Sequence, residues 1–543
     1  MAFDSSQTQA SWHILMEVAL DGGTVYYAET DLAMSNGVAY EGRISSIPAL
    51  LLSTGQILDP RLVSPSLTVT LRDADHSVRD STDSEEWGNR TVTIKAGQGT
   101  TIGDYETVFT GVVRFPGGIS WDATSLRVSV DDLRSKDAKA LPANRLDPAT
   151  YANMEAKSQY KAIPLVYGDF RTTAGGGETV PCYCIDTTAG TGGKFKVADH
   201  ALKEIEAVYK NGSAITGNCT MDAANGEFTI SSTTTYDPTT DTITANVQGA
   251  TDDGTTSGTL LQSLPDILDD LLQTHLSVAS GNIDSTAFSA WEAELGTNDY
   301  GRRWIGTEIS SDDLIRDILV EGFADITIES GKYKPVYRVV DTTGSATTLT
   351  SANIRERGDA TKEFRVQRDP ERIFVNEVVA DYRYDPANAA YTTTYTKSDS
   401  GSIANLGTTK RRRLQFKWLY IGNGAQARAN RELYGFVQEP EIATMRLDPE
   451  ALTLGPTDQI DLEHDKYDGT AFQIRTISLD LLRKEATATC WDVTRLSPGR
   501  WSSASAPAWG SATALQKVSQ GFWTDANGRA DAGDSGSTGS VWF

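Results

Sequence analysis

The sequence predicts a mainly β, multidomain protein with a smaller α+β part. Three observations predict it. Apolar residues alternate at period two in short runs over most of the chain, turn signals rich in Gly, Asn and Asp break those runs, and helical spacing is confined to a few segments. At 543 residues the chain exceeds one compact core, and typical domain sizes divide it into roughly three to five parts. Hydrophobic residues at 39% and charged residues at 22% favour globular folding over disorder.

Residues 1–145 read as a first barrel or sandwich. Leu67, Val69 and Leu71 alternate with threonines, Val92 with Ile94, and Leu126 with Val128 and Val130, the pattern of half-buried antiparallel strands. Turn signals such as Asp21-Gly22-Gly23, Ser35-Asn36-Gly37 and Pro116-Gly117-Gly118 separate them, and no long helix is expected there. Residues 146–258 shift toward Thr, Gly and Asp and predict an inserted β-rich domain with long loops, Gly175 marking a loop tip.

Residues 259–361 predict an α+β module. Leu264, Ile267, Leu268, Leu271 and Leu272 recur at helical spacing after Ser263, with Pro265 allowed in the first turn. A second helix is expected to be capped by Ser311, with Asp312 and Asp313 at its positive end, an apolar stripe of Leu314, Ile315, Ile318 and Leu319, and a stop at Gly322. A hairpin turning at Ser330-Gly331-Lys332 follows.

Residues 362–496 return to strands, with one amphipathic segment from about Ala425 to Phe436. This block parallels the first. The run from Phe109 to Asp131 and Arg134 has a counterpart from Phe472 to Asp492 and Arg495, each ending in Asp-x-x-Arg, which suggests a duplicated barrel. Residues 497–543 read as an extended arm whose Trp509, Phe522, Trp523, Trp542 and Phe543 suit docking on a neighbouring domain or subunit better than free disorder.

The formal charge is −24, from 49 basic and 73 acidic residues. An acidic surface repels phosphate and disfavours ordinary DNA binding; it serves solubility, or lets a passing anionic polymer slide by. Against that background Lys410, Arg411, Arg412 and Arg413 stand out. Pairing with an acidic neighbouring subunit is the preferred reading over contact with nucleic acid. The start, MAFDSSQTQASW, carries neither a basic nor an apolar leader region, so cytoplasmic synthesis without a secretion signal is expected. The four cysteines, Cys182, Cys184, Cys219 and Cys490, are too few and scattered for a disulfide framework.

The segment Ile163-Pro-Leu-Val-Tyr-Gly-Asp-Phe170 resembles the I-P-x-V-Y-G stretch of tail-tip and baseplate hub proteins of long-tailed bacteriophages, carried here by Ile163, Pro164, Val166, Tyr167 and Gly168. Segments at Asn376–Tyr382, Ser402–Gly407, Leu452–Asp458 and Asp468–Ile474 follow in the order expected of such hubs, and Gly521–Gly528 and Val541–Phe543 resemble the endings of phage structural proteins. The resemblance implies two tube-type β-barrel domains per subunit and a homotrimer whose six barrels meet a six-fold tail tube. It also implies a place in the virion tail, distal tail and tube proteins as partners, other tip or fibre proteins beside them, transient contact with passing viral DNA, and host envelope contact. Some relatives carry long fibre or host-binding extensions, whereas this sequence stops at residue 543, so receptor binding is not expected of this subunit.

No catalytic pattern competes with that reading. The five histidines form no H-E-x-x-H, and no G-x-S-x-G elbow or Walker loop is present. Asp461, Glu463, His464 and Asp465 read as a solvated hairpin, and the spacing of Cys182 and Cys184 is not that of a usual zinc or iron–sulfur site. The segment from Asp525 to Asp531 reads as a turn, lacking the position-six glycine and the terminal glutamate of an EF-hand calcium loop. A non-enzymatic structural protein without metal or cofactor is therefore expected. A glycan-binding tail protein and a hub with cell-wall hydrolase activity are the alternatives.

Overall fold

The computed structural model describes residues 12–494 apart from 61–65, 133–138, 173–177, 191, 232–233, 330, 339–345, 357–361, 449–453, 465–466 and 484. The fold is mainly β, in several sheets, with a smaller helical part. The described residues form two compact units, one drawn from within 1–137, 325–374 and 434–543, the other from within 138–324 and 375–433.

The first unit holds two sheets that repeat one strand order. In the first sheet five strands follow in the chain: Ile44–Ser46, Ser66–Arg72, Thr91–Gln98, Tyr105–Val113 and Ser125–Asp132. In space the third, fourth, fifth, second and first lie side by side, each neighbour antiparallel. In the second sheet Phe364–Arg368, Glu441–Leu447, Gln459–His464, Tyr467–Asp480 and Glu485–Asp492 take the same order, again all antiparallel. The ladder between third and fourth strands shifts register in both, at Ile94/Lys95 and at Leu462/Glu463. The parallel read between Phe109–Asp131 and Phe472–Asp492 falls on the fourth and fifth strands of both sheets.

The sheets differ beyond their third strands. The first adds Trp12–Leu20 and Gly23–Ala28, then the short Ala39–Gly42 and Leu32–Ala33; the second adds Thr347–Thr350, parallel to its third strand. Directly after the first sheet's opening strand, Leu50–Ser53 crosses over and pairs with Tyr467–Asp480 of the second, Leu50 opposite Leu479 and Ser53 opposite Thr476. Among the described residues the hydrogen-bonded path stays open in each sheet.

One core serves both. The alternation along Ser66–Arg72 turns Leu67, Val69 and Leu71 inward, where they join Ile14, Val92, Ile94, Val128 and Val130. From the second sheet come Met445, Ile460, Leu462, Phe472, Ile474 and Ala488, in the same cluster. A buried ion cluster lies beside this core. Asp325 takes both Arg338 Nε and Nη2, at 2.9 and 2.7 Å, Arg475 Nη1 lies 3.8 Å from the same carboxylate, and Arg338 Nη1 donates to Ile57 O at 2.6 Å. The short helix Ser77–Ser84, between the second and third strands of the first sheet, was not expected from the sequence.

In the second unit two four-stranded sheets enclose a core of Phe170, Val180, Phe195, Val208, Phe228 and Val247. The helix Leu264–Asp270 buries Leu264, Ile267 and Leu268 and continues as a π-helical turn, Leu271–His275. The next expected helix spans Ser311–Glu321 with its stripe buried as read, but its cap is Ser310, whose Oγ accepts from Asp313 N. A further helix, Ser285–Glu294, escaped the sequence reading because only Phe288 and Trp291 are buried along it. The amphipathic segment forms Gly422–Phe436, and a three-stranded sheet places Glu377–Asp385 between antiparallel Ala390–Ser398 and parallel Arg411–Gln415.

Candidate functional site

The Ile163–Gly168 segment lies at a crossing of chain segments in the second unit. Ile163 and Pro164 lead into the strand Leu165–Tyr167, which pairs with Arg303–Ile305 and is fully buried. Val166 is tied on both backbone groups: its N–H donates to His200 Nε2 at 3.0 Å and its carbonyl accepts from Ala250 N at 2.8 Å. Tyr167 is fully enclosed, donates its hydroxyl to Asp270 Oδ2 at 2.6 Å, and faces Trp418 with ring centroids 6.0 Å apart. Burial pushes its phenol well above the usual range.

Gly168 turns the chain with φ +76°, and a Cβ there would lie 2.3 Å from Gly301 O. A backbone this close, in the left-handed region, requires glycine. These residues therefore hold their unit together, and none of their polar groups is presented to solvent as a reactive group.

His200 acts as an acceptor here. With Val166 N–H directed at Nε2, the proton resides on Nδ1, which donates to Ala201 O at 2.9 Å. Burial lowers its pKa from the ordinary 6.5. Asp270, besides Tyr167, accepts Thr274 Oγ1 at 2.8 Å, with His275 Nε2 3.8 Å away.

The three arginines of the basic run lie on the Arg411–Gln415 strand, and their charges are answered within the chain. Arg411 pairs with Glu377, Arg412 Nη1 with Glu432 Oε1 at 2.5 Å, and Arg413 Nε with Asp381 Oδ2 at 2.5 Å. Arg411 and Arg413 remain about two-thirds exposed, on the sheet face opposite Arg412. The Lys410 backbone N–H donates to Asn376 Oδ1 at 2.6 Å, and Lys410 itself is exposed. Trp509, Phe522, Trp523, Trp542 and Phe543, and the Asp525–Asp531 turn, lie outside the described residues.

Two arrangements in the first unit were not legible in the sequence. Ser351 Oγ and His464 Nδ1 stand 2.7 Å apart at the surface, the imidazole edge-on to Phe364 at 4.8 Å. Among the described residues no carboxylate bonds the second imidazole nitrogen, so the pair lacks the orienting group of a nucleophile triad. A cavity of about 200 Å³ is walled by Glu106, Asp132, Glu329 and Asp458 together with Leu52, Phe109, Leu454 and Leu479. Burial raises the Asp458 carboxyl, partly offset by Gly455 N–H at 2.8 Å, and Lys334 neutralises Glu329 at 2.5 Å.

Among the described residues no group of three or more His, Cys, Asp or Glu side chains is placed to hold a metal ion. The cysteines are free thiols whose pKa values burial raises, Cys219 to about 11 and Cys184 to about 12.

No family model matches the chain, and no curated protein matches it. Among solved structures it is similar to the 43 kDa tail protein of prophage MuSo2 from Shewanella oneidensis, at 11% identity over 89% of this chain and 99% of that one, TM-score 0.39. It is similar to a chain in the virion of a native gene transfer agent, at 12% identity over 66% of this chain and 91% of that one, TM-score 0.39. It is also similar to prophage tail protein gp18 from Listeria monocytogenes, at 9% identity over 89% and 94% of the two chains, TM-score 0.34.

Proposed function

We propose that this chain is a structural subunit of a phage-type tail, serving as a hub at the baseplate or tail tip. The observation that carries this reading is the repeat in the first unit: two sheets of one strand order, joined by the Leu50–Ser53 crossover and packed on one core. A subunit built this way offers two like β surfaces, so three copies offer six. That number matches a six-fold tube at a junction where a three-fold tip begins. The ordered short motifs that resemble hub proteins point the same way, and the charge of −24 suits a channel wall to which DNA does not adhere.

In this reading the work is mechanical. The subunit forms a homotrimeric ring in the virion tail, meets distal tail and tube proteins on one side and tip or fibre proteins on the other, and gives the DNA its exit. The test is the mass of the purified full chain by sedimentation: a species of three copies is expected, and a monomer at every concentration would overturn the reading.

A further inference from the structure

Nine residues, Ala390–Ser398, form the outer strand of the three-stranded sheet in the second unit. Among the described residues its outer side is unpaired, and its side chains alternate exposed and half-buried without a break. Among the described residues every other terminal strand of a sheet is shorter, and those longer than four residues, Ala324–Glu329 and Lys332–Tyr337 included, carry two or more charges. Leu32–Ala33 has two residues, Ile44–Ser46 three and Thr347–Thr350 four, while Phe364–Arg368 and Arg411–Gln415 have five each and carry two and three arginines. Short length and charge protect an edge from pairing with another chain. Ala390–Ser398 has neither protection: it is rich in Thr and Tyr, contains no proline, and bears one charge, Lys397.

The strand is also preorganised. Its exposed hydroxyls turn back onto carboxylates of the second unit, Thr394 to Asp381 at 2.8 Å, Ser398 to Glu377 at 2.9 Å and Thr392 to Glu178 at 3.2 Å. What remains on offer along the edge is backbone, already fixed in extended form, so little ordering entropy opposes pairing.

The sequence of this strand is complementary to itself. In an antiparallel pair centred on Thr394, Tyr391 faces the partner's Lys397, Thr392 the partner's Thr396, and Thr393 the partner's Tyr395. Aromatic, β-branched and Lys–Tyr pairs are favourable across strands, and no like charges meet. In a chain of charge −24 this strand itself carries no carboxylate, so the pairing sets none directly opposite another.

We propose that Ala390–Ser398 is a self-association edge, at which a second copy of this chain adds the same strand antiparallel and joins two three-stranded sheets into one of six. The test uses the full chain carrying Thr394→Cys and a short bis-maleimide, with Thr348→Cys, on a different edge, as control. Linked dimers several-fold above both the parent and the control are expected. Adding Thr396→Pro, which removes a backbone donor from the edge, abolishes them; if that variant does not fold, Thr392→Lys with Thr396→Lys places like charges opposite each other and does the same. Linking no greater than the control in folded protein, or linking only to other polypeptides, overturns the proposal. A three-copy mass without the link would overturn this inference and leave the hub reading standing, whereas the link without a three-copy mass would do the reverse.

Discussion

Removing the Asp325 carboxylate strands two arginines in the interior of the first unit. Arg338 is 3% exposed and Asp325 1%, and their bidentate pair at 2.7 and 2.9 Å is the main compensation for burying the guanidinium. Arg475, 5% exposed, faces the same carboxylate at 3.8 Å, and burial has already lowered its pKa to about 10. Breaking one buried pair by deleting a partner costs about 3–5 kcal/mol. Because Asp325 answers two cations, Asp325→Ala falls in the upper part of that range, while Asp325→Asn, which keeps one acceptor and the shape, loses about 1–3 kcal/mol. Urea unfolding followed by tryptophan fluorescence reads this directly, since Trp491 lies 5.8 Å from the Arg475 guanidinium. Replacing Asp325, Arg338 and Arg475 together by Leu, Met and Met recovers most of the loss, because no charge then remains buried. A loss under about 1 kcal/mol for Asp325→Ala would refute the reasoning.

Three other outcomes are expected. Gly168→Ala forces a Cβ to 2.3 Å from Gly301 O at φ +76°, so it lowers stability by more than the roughly 1 kcal/mol of an unstrained glycine replacement, visible as a lower melting temperature. His200 contributes stability that is fully present above about pH 6.5 and is lost as pH falls through its lowered folded pKa, since protonation puts an N–H against Val166 N–H. His200→Gln, which keeps an acceptor and does not titrate, therefore flattens the fall in melting temperature between pH 7 and about pH 5. Phe472→Ala removes a fully buried ring from the shared core at a cost of about 3–5 kcal/mol, and hydrogen exchange then rises in strands of both sheets rather than in the second alone.

What was legible in the sequence was local. Alternation in Ser66–Arg72 and the stripe of Ser311–Glu321 are periodic signals that depend only on neighbours, and both elements appear with the expected residues inside. The likeness of Phe109–Asp131 and Phe472–Asp492 was legible because equivalent strands carry similar patterns. The cap at Ser310 rather than Ser311 was not, since two adjacent serines look alike until the backbone makes one extended.

Long-range pairing left no trace either. Leu50–Ser53 reads as an ordinary apolar strand, and its hydrogen-bonded partner, Thr476, lies 423 positions from Ser53. For the same reason the acid partners of Arg411–Arg413, the Tyr167–Asp270 bond and the Ser351–His464 pair became visible only in three dimensions. The Ile163–Gly168 segment was recognised as a motif, but its physical role, a buried crossing pinned by His200, Asp270 and Gly301, came from the structure.

In the proposed hub, one subunit carries two sheets of like strand order, and several subunits arrange them in a ring. Class averages of the purified chain by electron microscopy test that most directly. The expected image is a closed ring of three copies with six similar lobes around a central opening. Isolated single subunits, or a ring whose lobes number only as many as its subunits, would contradict it.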